Sequence, residues 1–268
     1  MLIYFEKRGI FMGLWTMKFF WGVIPWFLFF ATFSYMLANM LKGKDKAKTW
    51  ILRGIAIAIL VLEVAKQTKN LLNPDGYSLY ALPFHYCSLF LLILPLHSFA
   101  RGKFKKLVDG ISFATLSSLF FVYIVVPTVL YPDSNFKTYF TSFGSFHTIT
   151  FHHLVVLYLF LAIAFRAFDL KIKRDFPIIA TFLSVFVIIS TFFSYTLNTN
   201  YHNLLKSNVD IIEDLVRVPL NNALGGIGQA IYVGLMFVFT TVIAYAGYAL
   251  ISIFYNLVIV RKKKQKSK

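Results

Sequence analysis

LPFHYCSLFLLILPL, residues Leu82–Leu96, is the stretch on which the reading of this chain turns. It is apolar almost throughout and holds the single cysteine, Cys87, with His85 two positions before it. Similar apolar runs recur along the 268 residues, which are 58% hydrophobic and only 14% charged, with a mean hydropathy of +0.69. A soluble domain carries about 25% charged residues, and a membrane-crossing helix needs ~20 consecutive apolar ones. The composition therefore predicts an all-α polytopic membrane protein. Strand-like alternation is absent, which sets a β-barrel aside.

Seven apolar segments follow one another, at about residues 19–41, 50–72, 82–100, 107–131, 147–168, 176–198 and 226–258. Most of the 27 Lys and Arg residues fall in the connections after the first, third and fifth segments and in the C-terminal tail. Cytoplasmic loops carry such an excess, so seven spans orient one way: N-terminus outside, C-terminus cytoplasmic. The net charge of +16 is thus read as topology and not as nucleic-acid binding. The expected organisation is an interfacial segment over 1–18, one transmembrane domain over 19–260 and a basic tail over 261–268. The first apolar run meets a basic loop with no small-residue cleavage site, so it reads as a retained helix. The expected location is a cell membrane crossed several times, that of a bacterium.

This orientation gathers polar residues at one level, near the outer ends of the segments. Glu63 and Lys66 end the second segment, and His85 and Cys87 open the third. His147, His152 and His153 open the fifth, and Asn198, Asn200, Tyr201 and His202 close the sixth. Ionisable groups at membrane depth are costly and mark cavities or functional paths. Polar residues also enrich every membrane border, and that reading covers Asn198 better than Cys87 or His153. His97, at the other end of its segment, reads as interfacial.

A thiolate is the nucleophile for acyl transfer and needs a base. Pro83 suits the first turn of a helix, which would put Cys87 near a helix N-terminus, where a thiolate is favoured. His85 is close in sequence but i and i+2 do not face each other on a helix. The base is then sought on the fifth segment, where His152 and His153 point about 100° apart, so that at most one faces the thiol. The alternative is an inert core cysteine. Glu63 and Lys66, at i and i+3, are an ion pair or a pair that orients a histidine and binds phosphate. One cysteine excludes an intrachain disulfide. No metal-binding motif is present, and no cofactor is expected. The Gly225-Gly226-x-Gly228 run follows no strand and is not a nucleotide motif; it suits a helix break or a close helix approach.

LPFHYCSLFLLILPL, TFHHLVVLYLFLAIAF and NTNYHNL together resemble the YwaF-like family of integral membrane proteins, over about residues 50–255. A eukaryotic branch of that family is similar to a cysteine-dependent acyltransferase acting on lysophospholipids. The resemblance implies Cys87 as acyl-accepting nucleophile. It implies His153 as the base, because the eukaryotic branch has glutamine where this chain has His152. His85, His152, Glu63, Lys66, Asn200 and Tyr201 are then supporting or substrate-binding residues, and membrane phospholipids or lysophospholipids are the expected partners. This chain departs from the pattern at His202. The competing class is a transporter or flippase that uses the same polar cavity without a nucleophile.

Overall fold

The computed structural model describes residues 17–125, 136–207 and 212–256. The N-terminal interfacial segment and the basic tail lie outside the described residues, apart from residues 17 and 18. The described chain is helical, with no strand. In order, α1 is Met17–Met40, α2 Asp45–Leu71, α3 Phe90–Phe99, α4 Gly102–Val125, α5 Phe136–Thr141, α6 Phe143–Ala164, α7 Ile172–Thr196, α8 Val218–Leu224 and α9 Gly226–Phe254. Each of the seven apolar segments has its helix, and five of these are long and apolar enough to cross a membrane: α1, α4, α6, α7 and α9. The other two fall short for different reasons. α2 has the length, but Lys, Glu and Arg residues run through it; α3 has only 10 residues.

The third segment departs most from the expectation. Pro83 does not open an α-helix. It sits in a tight turn closed by the Phe84 amide donating to the Leu82 carbonyl at 2.9 Å. His85 stays extended, and Tyr86–Leu89 forms a 3-10 turn before α3 begins at Phe90. Cys87 therefore lies on that 3-10 turn, ahead of the α-helix. The residue before a proline is pushed out of the helical region, and Leu82 is accordingly extended (φ −63°, ψ 147°).

α4 is the centre of the bundle, with 72% of its apolar window buried. Its run of small residues explains this. Lipid gives helices no hydrophobic reason to associate, so close packing through small side chains decides which faces meet. A methyl group on Gly110 would lie 2.7 Å from Asp175 Cγ, and one on Gly247 3.0 Å from the Ser117–Ser118 backbone, so α7 and α9 approach α4 closely. α4 also meets α3 and α6, while α1 packs on α6 and α2 on α3 and α6. α1 is the least enclosed: Leu28, Phe29, Tyr35 and Met36 are all exposed.

Two glycines make the hairpin between α8 and α9. Gly225, at φ +55°, breaks the helix in a region that side chains rarely adopt. At Gly228 a Cβ would lie 2.1 Å from the Leu220 carbonyl oxygen. Gly228→Ala is therefore expected to push α8 off α9 and to destabilise the protein by about 2–3 kcal/mol, read as a lowered thermal melt in detergent.

Candidate functional site

The helices alternate in direction, so the bundle has two ends. One, the basic end, is where α2, α4 and α7 begin. The other, the thiol end, carries Cys87 on its 3-10 turn. Cys87 is half-buried and packs on the core that includes Phe90, Leu94 and Tyr123. Its sulfur lies within electrostatic reach of three phenols, those of Tyr80, Tyr86 and Tyr123.

Two of the three motifs meet directly. After α7 the chain turns back through residues 198–205, with Asn198, His202 and Asn203 in the left-handed region. Such strain persists only where neighbours hold it. Asn200 folds the turn, accepting from the Leu205 and Lys206 amides and donating to the Lys206 carbonyl. Tyr201 is completely buried and donates to the Leu79 carbonyl at 2.5 Å. Its ring is 5.3 Å from that of His85, which in turn packs on Tyr80 at 4.4 Å with Nε2 3.1 Å from the Tyr80 carbonyl. His202 stacks on Tyr86 at 5.6 Å. Thr240 already donates to the Met236 carbonyl, so His202 Nε2–H donates to the Thr240 oxygen. By the same logic Ser118 donates to Thr115, and Tyr86 donates to the Ser118 hydroxyl at 2.5 Å. Asn200 and Tyr201 thus clamp the loop onto the segment that carries the thiol. Asn203 and Leu204 extend the clamp to α9 through Tyr232 and Gln229.

The histidines of α6 separate, as a helix requires. His147 Nε2 is 3.6 Å from Glu63, whose other oxygen takes Lys66 at 2.7 Å and Gln67 at 2.6 Å. Gln67 reaches on to the Ala81 carbonyl and accepts from Tyr77, so this group braces the link between α2 and Cys87. His152 is buried toward α4, edge-on to Tyr123 with ring centroids 5.5 Å apart. Its Nδ1 and the Tyr123 hydroxyl have no hydrogen-bond partner among the described residues. His153 points toward α1, its ring 5.2 Å from Trp26 and 5.9 Å from Phe30, with Nδ1 2.7 Å from the Ile149 carbonyl. The thiol end therefore turns His152 toward Tyr123, which is within electrostatic reach of Cys87, and sends His153 toward α1.

The basic end holds a cluster that sequence reasoning missed. His97 is 1% exposed, not interfacial. Its Nε2 donates to Asp109 at 3.2 Å and its Nδ1 accepts from Tyr158 at 2.6 Å. Lys105 reaches Asp109 at 2.7 Å, the Asp169 amide donates to its other oxygen at 3.0 Å, and Ser98 lies 2.9 Å from the Tyr158 hydroxyl. Asp175, wholly buried, pairs with the neighbouring Arg174 and ties the start of α7 to α9 through Tyr248. A hydrophobic-moment pattern does not reveal such residues. The signal was one acid in an apolar segment, Asp109, which needs a partner.

The surface hairpin before α9 adds an ion pair outside the spanning helices. Arg217, bonded to Glu213 on the π-helical turn Glu213–Arg217, holds the Glu213 carboxyl below the usual carboxylate range, and the Ser207 amide adds to the effect. A depressed folded value gives stability that is present above the unfolded pKa of about 4.3 and is lost as pH falls through the folded one. Glu213→Gln is expected to flatten the acid limb of a melt-versus-pH curve and leave the neutral region in place.

Among the described residues, no three His, Cys, Asp or Glu side chains converge to hold a metal ion. The fold defines a multi-pass helical membrane protein with a thiol-bearing polar end. The description of the TMEM164 family matches residues 11–248, and the chain belongs to that family. No curated protein and no solved structure gives a significant match.

Proposed function

We propose that this protein is a membrane acyltransferase that moves a fatty acyl chain between lipids through a thioester on Cys87. The observation that carries the reading is a buried phenol, Tyr123, within electrostatic reach of the thiol, and against that phenol the buried imidazole of His152, each with a polar atom unsatisfied among the described residues. Buried polar atoms are almost always paired, so an unpaired phenol within electrostatic reach of the thiol, lying against an unpaired imidazole, favours a site over a packing cluster.

The proposed frame has seven spans. α2 serves as one despite its charges, and the 3-10 turn with α3 as another. The basic end faces the cytoplasm, so the thiol end opens to the outer leaflet. The donor there is a phospholipid. Cys87 gives its proton to a histidine of α6, and its sulfur attacks the ester carbonyl carbon. The tetrahedral adduct collapses to a thioester. The leaving lysolipid oxygen takes the proton back from the imidazolium. An acceptor hydroxyl then repeats the sequence in reverse and frees the thiol. His152 is favoured as the base, because it faces the Tyr123 side of α6 whereas His153 faces Trp26 and Phe30. Glu63 and Lys66 brace the approach, and Lys66 offers a charge to the lipid phosphate.

The test is incubation of the purified protein with phospholipids, followed by intact-protein mass spectrometry. The expected result is a hydroxylamine-sensitive acyl adduct on Cys87. Loss of the base slows its formation roughly 10²–10⁴-fold, with His152→Ala showing that loss and His153→Ala a smaller one. No adduct across lipids of varied headgroup, together with a thiol inert to alkylation, overturns the reading and favours a transporter.

A further inference from the structure

The fully buried tyrosines of the described chain have one exception to a common rule. Tyr158 bonds His97, Tyr201 donates to the Leu79 carbonyl, Tyr232 to the Asn203 carbonyl and Tyr248 to Asp175. Tyr123 is equally buried, at 0% exposure, yet its hydroxyl has no acceptor or donor among the described residues. A buried hydroxyl without a partner costs roughly 1–3 kcal/mol. Phenylalanine would fill the same space without that cost, and the flanking FFVYIV run already uses it. The phenol lies against the imidazole of His152, whose Nδ1 is likewise unpartnered, and within electrostatic reach of the Cys87 sulfur. Tyr86, also near the sulfur, has its hydroxyl committed to Ser118. Of these two, Tyr123 alone has a proton to offer.

We propose that Tyr123 is a catalytic residue: its hydroxyl donates a hydrogen bond to the carbonyl oxygen of the lipid ester attacked by Cys87. This rests on the acyl-transfer reading and adds the electrophilic half of the site. When the carbon–sulfur bond forms, the carbonyl π pair moves onto oxygen, and the Tyr123 O–H stabilises that charge while keeping its proton. Collapse restores the carbonyl and expels the lysolipid oxygen, which takes the proton held by the histidine. A donor fixed in a low-dielectric site needs no reorganisation at the moment of reaction, and removing one such donor costs roughly 10²–10³ in rate. The same phenol would serve the second half-reaction, because attack on the thioester develops charge on the same oxygen.

The experiment compares wild type with Tyr123→Phe, both full-length in detergent micelles containing phosphatidylcholine or phosphatidylethanolamine. It follows the rate of hydroxylamine-sensitive acylation at saturating lipid and, separately, the thermal melt. The expected result is acylation slowed roughly 10²–10³-fold with the melt unchanged or raised, since no hydrogen bond is lost. A packing residue gives no such split. Acylation of Tyr123→Phe at the wild-type rate overturns the proposal alone. So does a fall in rate that only tracks a lowered melt. Absence of any adduct on wild type overturns the acyl-transfer reading, and this proposal with it.

Discussion

Cys87→Ser is expected to abolish acyl-adduct formation while changing stability by less than about 1 kcal/mol. The two side chains are nearly isosteric, and Cys87 is only half-buried on its 3-10 turn, so its packing on the core survives. The chemistry does not. A thiol is far more acidic and more nucleophilic than an alcohol, which needs a base held in line with it. Removing the proposed nucleophile from a site whose groups act as a unit would cost at least roughly 10³ in rate. Mass spectrometry of the lipid-treated variant measures the adduct, and a detergent melt measures the fold. An adduct on the serine variant at the wild-type rate contradicts thioester catalysis. A transporter would scarcely register the change, so transport retained with chemistry never seen would favour that class.

Asp109→Ala is expected to cost about 3–5 kcal/mol, because it breaks a buried charge network by removing its centre. Asp109 is 2% exposed and accepts from His97, Lys105 and the Asp169 amide at once. Those contacts join α3, α4 and the chain after α6. The substitution leaves a buried imidazole N–H and an amide unpaired, and it removes the counter-charge of Lys105. At about 2–4 °C per kcal/mol for a chain of this size, the melt should fall by on the order of 10 °C. Lys105→Ala should cost less, because the Lys105 side chain is 32% exposed and water reaches it. Equal losses for the two variants would show that Asp109 is not the centre of the cluster.

Much of the architecture was legible in the residues. Hydropathy is a local sum, so the seven apolar segments lie where helices form, to within a few residues at most ends. The glycines of the last connection announced a break and a close approach, and both occur there. Other features were harder to read. Pro83 suited a helix start, but the turn at Phe84 and the extended His85 delay the helix to Phe90. The small residues of α4, from Gly110 to Ser118, decide which helix is central, because only assembled neighbours show how closely α7 and α9 approach. The burial of His97 is not legible locally, because its partners Asp109 and Tyr158 come from other helices.

By itself the sequence determined the class of this protein: a helical membrane chain whose one thiol sits beside a polar end, with basic residues gathered at the other. Composition and order suffice for that, since lipid solvation and loop charge act on each segment separately. Only the tertiary structure decided what surrounds Cys87. Successive residues on a helix point about 100° apart, so a rotation of one residue step exchanges His152 for His153. That rotation is set by packing: α6 turns His153 to Trp26 and Phe30 of α1, and His152 to Tyr123 of α4. The phenol without a partner among the described residues is visible only once its neighbours have been placed.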